Sequence, residues 1–176
     1  MKYTERPEYK FFKALKKGNV EFAKELIEQG YDVHQVTESE QWTYLHKMFT
    51  STSFDIKDSP ILSSIQFLLE KGLDVNAIDS YGNTPLLYAV RQRNVEGIRL
   101  LLENGADKLI EHENLEGVSA LRMGFDSMPL NYEVFDLLLQ FGADPDVKKD
   151  GWKTARQMLT VIAGIPKSIQ DLFAKY

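Results

Sequence analysis

Three histidines, His34, His46 and His112, are the imidazoles available to this chain, and they stand far apart in it. Zinc chemistry needs two histidines at helical spacing with a carboxylate beside them, so that lone pairs converge on one ion. This spacing does not supply that. With no cysteine in the 176 residues, a thiolate metal cluster and a disulfide framework are both ruled out. A serine nucleophile would need the strained Gly-x-Ser-x-Gly elbow, and phosphate binding would need a glycine-rich loop; neither string occurs. Glu111, Glu113 and Glu116 crowd a polar linker, where carboxylates serve as solvated charge rather than as an acid–base pair. No catalytic residue, metal site or cofactor is therefore expected. Recognition by a surface is what remains.

The elements that could build such a surface are visible in the spacing of leucine and glycine. The string Leu-Leu-x-x-Gly-x-Asp runs from Leu68 to Asp74, from Leu101 to Asp107 and from Leu138 to Asp144, and a degenerate copy from Leu26 to Asp32 precedes them. The four glycines fall at 30, 72, 105 and 142, so the intervals are 42, 33 and 37 residues. In the clearest copy Thr84 offers an N-cap oxygen, and Pro85 suits the first helical position, where no amide donor is needed. A short helix from Leu86 ends near Arg93-Asn94. A second runs from Val95 to Glu103 with Ile98, Leu101 and Leu102 on one face. Gly105 follows, where a left-handed residue closes a helix. Helices this short cannot bury an apolar face alone, so stacked neighbours must do it in a quasi-linear array.

The Thr-Pro-Leu start, with a period near 33, resembles the ankyrin-repeat family from about residue 8 to the end. The resemblance implies an all-α solenoid of stacked helix pairs joined by short β-turn fingers. Five units in one domain are expected, at about 8–37, 38–78, 79–113, 114–148 and 149–176. The first is read as helices Tyr9 to Lys17 and Val20 to Gln29 around Gly18-Asn19. The second starts at Trp42-Thr43-Tyr44-Leu45-His46, with tyrosine in place of proline. An insertion around Ser51 to Ser59 lengthens it before a helix from Ile61 to Lys71. Phe54 and Ile56 in that insertion either fold back onto the core, which is the favoured reading, or contact a partner. In the fourth, Ser119 stands in for threonine and the residues from Ser127 to Leu130 lengthen the inter-helix turn. The last reads as Ala155 to Ala163, a break at Gly164-Ile165-Pro166, and a closing helix towards Tyr176, with Trp152 packing on the previous repeat. The outer units act as caps.

The same resemblance implies where a partner docks, on finger tips and on the exposed side of each first helix, which together line a concave face. These positions are Ser39, Glu40, Trp42 and Thr50; Ser80, Tyr81, Asn83, Arg91 and Gln92; and Leu115, Glu116, Val118, Asp126 and Ser127. Large amphipathic aromatics at exposed tips are favoured interface anchors, which singles out Trp42 and Tyr81, and the Arg91 guanidinium can pair with a carboxylate. Two readings stand for the aromatics. They anchor a partner, or Trp42 packs on the neighbouring finger and Tyr81 fills the space beneath the insertion. His46 occupies the start-motif position whose histidine stabilises the turn by hydrogen bonding. A turn role is also expected of His34, while His112, in a charged linker, is expected to be exposed.

Composition narrows the partner class. The formal net charge is −5, from 26 acidic and 21 basic residues, which argues against general nucleic-acid binding. No uncharged run approaches a membrane span, and the charged start lacks a signal-peptide core. A monomeric, cytoplasmic, non-catalytic adaptor or scaffold is the leading expectation. The alternative is a dedicated protein inhibitor, such as a bacterial toxin-neutralising immunity protein, for which mild acidity would suit a basic target.

Overall fold

Helix starts follow local chemistry. A computed structural model describes residues 3–50, 62–148 and 153–176. Its α-helices are α1 (Pro7–Lys16), α2 (Val20–Glu28), α3 (Tyr44–Phe49), α4 (Leu62–Glu70), α5 (Pro85–Arg91), α6 (Val95–Glu103), α7 (Ala120–Asp126), α8 (Tyr132–Gln140), α9 (Ala155–Val161) and α10 (Lys167–Phe173). No strand occurs among the described residues. The Thr84 hydroxyl accepts from the Leu87 amide at 3.4 Å and Pro85 opens α5. Asn19, Asn94 and Asn131 do the same for the second helices, accepting from Phe22, Gly97 and Glu133. Each cap satisfies one of the donors that a helix start leaves open. Ser119 stands at the N-cap of α7 but makes no side-chain cap bond, so its substitution for threonine is positional only.

Helix ends are equally local. Gly105 has φ +99°, and Gly72 and Gly142 have φ +79° and +95°, values that L side chains rarely adopt. The Leu73 amide reaches back to the Leu68 carbonyl, and Ala143 to Leu138, which is the Schellman closure. The limits depart from sequence expectation by a residue or two. Pro7 starts α1 ahead of Tyr9, because proline is pre-set for that position. Helix α9 stops at Val161, because Ile162 is already extended.

Two layers result. Helices α1, α3, α5, α7 and α9 pack in succession as an inner layer, and α2, α4, α6, α8 and α10 as an outer one. Leu68, Leu101 and Leu138 share one offset from their glycines, and all three are fully buried. The inner layer repeats a buried triplet: Phe11/Ala14/Leu15, Leu45/Met48/Phe49, Leu86/Ala89/Val90 and Leu121/Gly124/Phe125. Where a large ring enters, a glycine yields. A Cβ on Gly97 would sit 2.6 Å from the Phe49 ring, and one on Gly124 would sit 2.8 Å from Phe135. Phe125, Phe135 and Phe173 form an aromatic cluster that seals the last two pairs. The insertion from Ser51 to Ser59, with Phe54 and Ile56, and the cap residue Trp152 lie outside the described residues.

Candidate partner-binding face

Each finger is a turn folded on one acceptor side chain. Asp79 Oδ1 accepts the amides of Tyr81 and Asn83 at 2.9 and 2.8 Å. One repeat later, Asn114 Oδ1 accepts those of Glu116 and Val118, both at 3.0 Å. Neighbouring fingers are joined through the backbone, Ser80 amide to Glu40 carbonyl at 2.9 Å and Leu115 amide to Tyr81 carbonyl at 3.0 Å. The tips therefore form a continuous, tied edge.

The residue just before each cap points into that edge. Trp42, Asn83 and Val118 hold this position in three successive repeats. The Trp42 indole N–H donates to Asp79 Oδ2 at 2.9 Å and contacts the Tyr88 hydroxyl at 3.2 Å. Tyr88 donates to the same Asp79 oxygen at 2.7 Å. Asn114 Nδ2 donates to Asn83 Oδ1 at 2.9 Å. Val118 is buried without a polar role. Trp42 is thus a half-buried finger-to-finger packing residue with its N–H spent, and Asn83 and Val118 turn their side chains away from solvent. The packing reading of Trp42 accounts for its geometry. Burial, followed by the hydrogen bond to Asp79, pushes the Tyr88 hydroxyl up to about 12, so it stays a donor.

Histidines complete the turns. His46 is fully buried. Its Nδ1 lies 2.9 Å from the Thr43 hydroxyl, and its Nε2 lies 3.1 Å from the Asn83 carbonyl of the next finger. Burial holds its pKa below the ordinary histidine value, partly opposed by the Asn83 carbonyl and the nearby Asp79 carboxylate. His112 departs from the exposed state expected of it. It is half-buried, with Nε2 2.8 Å from the Gly82 carbonyl. It repeats the His46 device without the start motif that would have marked it. Glu111 is likewise no free solvated charge, since its Oε1 accepts the Asp144 amide at 2.7 Å and so ties the third unit to the fourth. At His34 the turn belongs to Asp32, which accepts the His34 amide at 2.9 Å, while the imidazole is exposed.

What stays open to solvent is a shorter set. Tyr81 is 53% exposed and Leu115 is 80% exposed on the adjoining tip. Ser80, Glu116, Arg91, Ser39 and Asp126 are exposed, and Glu40, Gln92 and Thr50 are half-buried. Ser127 is buried and donates to the Met123 carbonyl at 2.8 Å. Hydrogen bonds from Ser39 and Thr37 hold the Glu40 carboxyl below its usual range. Among the described residues, no group of three or more histidines or carboxylates could hold a metal ion, and no helix is long and apolar enough to cross a membrane. The arrangement offers apolar and hydrogen-bonding contacts at rigid tips, with a cation at the end of α5.

The comparisons agree with this architecture. The family model for ankyrin repeats in three copies matches residues 11–112, from within α1 to past the end of α6. Ankyrin repeat, SAM and basic leucine zipper domain-containing protein 1 of Nomascus leucogenys is 35% identical over 86 residues, covering 49% of this chain and 18% of that protein. Palmitoyltransferase Hip14 of Drosophila melanogaster is 36% identical over 121 residues, covering 66% of this chain and 17% of that protein. The chain thus spans less than a fifth of the length of these relatives.

Proposed function

The chain belongs to the ankyrin-repeat family, whose repeats serve protein–protein interaction, and we propose that it acts as a non-catalytic adaptor or scaffold, binding a protein partner through its finger tips and the exposed ends of its inner helices. The observation that carries this reading is the pair Tyr81 and Leu115. They are large apolar side chains left exposed on two tips tied together by the Leu115–Tyr81 backbone bond. Rigid, pre-ordered apolar groups lose little entropy on docking, and aromatic anchors of this kind dominate binding energy. Ser80, Glu116 and Glu40 on the fingers, with Arg91 and Gln92 at the end of α5, would supply a polar rim. Val118 and Asn83 support the tips from beneath, and Trp42 braces the second finger against the third.

The test is comparative capture. Immobilised wild type, Tyr81→Ala/Leu115→Ala and the outer-face variant Arg99→Glu are exposed to the same host extract, and bound proteins are identified by mass spectrometry. A protein retained by wild type and by Arg99→Glu, and lost with the tip variant at unchanged helicity, meets the expectation. Equal retention by all three moves the binding surface off the fingers.

A further inference from the structure

The net charge of −5 conceals a separation between the two layers. The inner helices α1, α3, α5, α7 and α9 carry seven lysines and arginines against two acids; the outer five carry nine acids against three bases. The repeat register places this charge. Aligning the buried triplets sets Tyr9, Thr43, Thr84 and Ser119 in equivalent positions, and the N-cap Thr154 takes that place in α9. Four residues on come Lys13, Lys47, Tyr88, Met123 and Met158, and seven on come Lys16, Thr50, Arg91, Asp126 and Val161. Apart from Tyr88, covered by Trp42, the residues four and seven places on are all exposed or half-buried, whereas Thr84, Thr154 and the triplets are buried. The strip they form is cationic over α1, α3 and α5, at Lys13, Lys16, Lys47 and Arg91. Over α7 and α9 it has no cation and turns to Met123, Met158 and Val161, with Asp126 as its one acid. Arg122 lies one place off the strip and donates to the Lys153 carbonyl, and Arg156 is bound by Asp146. Acids flank the strip too. Glu8 and Glu40 lie within electrostatic reach of Lys47, so Lys13 and Arg91 are its clearest cations.

Resting on the inner-face reading above, we propose that the partner presents an acidic protein segment to α1–α5, continuing into an apolar, uncharged stretch over α7–α9. Neighbouring packed helices lie about 10 Å apart, and an extended chain advances about 3.3 Å per residue. One side chain in about three therefore meets each successive inner helix. The methionines and Val161 favour a protein over a nucleic acid, since they offer nothing to a phosphate, and the acidic outer layer repels a long polyanion.

The probe is a fluorescein-labelled peptide of about thirteen residues, with Glu at every third position of its first half, Leu at every third of its second, and Ser elsewhere. Fluorescence anisotropy with the full chain reads its affinity. Lys13→Glu/Arg91→Glu should weaken binding about tenfold or more, and added salt should weaken it as well. Arg99→Glu on the outer layer should change it less than about twofold, since a charge remote from the contact adds little. Lys13 and Arg91 are exposed, so circular dichroism should match wild type; if it does not, Lys13→Gln/Arg91→Gln replaces the pair with the same expectation in direction. Indifference to the double variant, equal binding of a peptide with Ser in place of Glu, or tighter binding of a single-stranded oligonucleotide would overturn the inference. A peptide that fails to bind while the comparative capture succeeds overturns this inference alone. Failure of the capture itself would overturn the reading beneath it.

Discussion

Removing the Asp79 carboxylate should loosen the second and third fingers together. Four donors converge on it: the Tyr81 and Asn83 amides, the Trp42 indole and the Tyr88 hydroxyl. In Asp79→Ala three of them keep or regain a partner. The Tyr81 amide lies nearer solvent, and the Tyr88 hydroxyl can turn. The Trp42 N–H keeps the Tyr88 hydroxyl at 3.2 Å, whereas the Asn83 amide is left unsatisfied, and a buried donor in that state costs about 1–3 kcal/mol. The expected loss is therefore about 1–3 kcal/mol, roughly 2–12 °C in Tm for a chain of this size. Asp79→Asn keeps one oxygen and should cost less. Thermal and urea unfolding read the loss, and hydrogen exchange should show faster exchange at Ser80 and Asn83, with α8 and α10 unchanged. A double-mutant cycle with Trp42→Phe should give a coupling of about 1 kcal/mol. An Asp79→Ala variant of wild-type stability, or one additive with Trp42→Phe, would refute the claim that Trp42 is held by the fingers.

Leu101→Ala opens a hole at a fully buried site. It should cost about 2–5 kcal/mol in chemical denaturation, with the flanking repeats losing exchange protection alongside. Gly97→Ala should destabilise by about 1–3 kcal/mol, despite alanine's better helix propensity, because its Cβ would meet the Phe49 ring at 2.6 Å and Asn94 Oδ1 at 2.7 Å; a gain in Tm would contradict the close packing of α6 on α3. His46 is buried with its pKa lowered by desolvation, so the unfolded chain binds its proton more readily. Its contribution is complete above the unfolded value near 6.5 and is lost as pH falls from there towards the lower folded value. Stability should fall on acidification through that window, and His46→Asn should show a shallower slope over the same range.

Much of the fold was legible because its signals are local. Thr84-Pro85, the Asn94 cap and the left-handed Gly105 each act within a few residues, so one sequence window suffices to place α5 and α6. The finger network was less legible for the opposite reason. Trp42 and Asp79 lie 37 residues apart, as do His46 and Asn83, and nothing local at Trp42 says whether its indole faces solvent or the next finger. The shared position of Trp42, Asn83 and Val118 just before the caps carried the missing signal, since three different residue types turned inward at one register position mark an inside site. His112 escaped notice because its acceptor, the Gly82 carbonyl, belongs to the preceding finger. Tyr81 and Leu115, three and four residues ahead of their caps, remain outside. The charge separation between layers became visible only once the register assigned each lysine and glutamate to an inner or an outer helix.

Hydrogen exchange on the full chain, alone and in complex with whichever partner survives the comparative capture, bears most directly on the protein-binding role. Slowed exchange should appear in the fingers around residues 80–83 and 115–118 and in the inner helices α3 and α5, with α4 and α6 unaltered. Protection confined to the outer helices, or spread evenly over both layers, would place the partner elsewhere and overturn the assignment of this face.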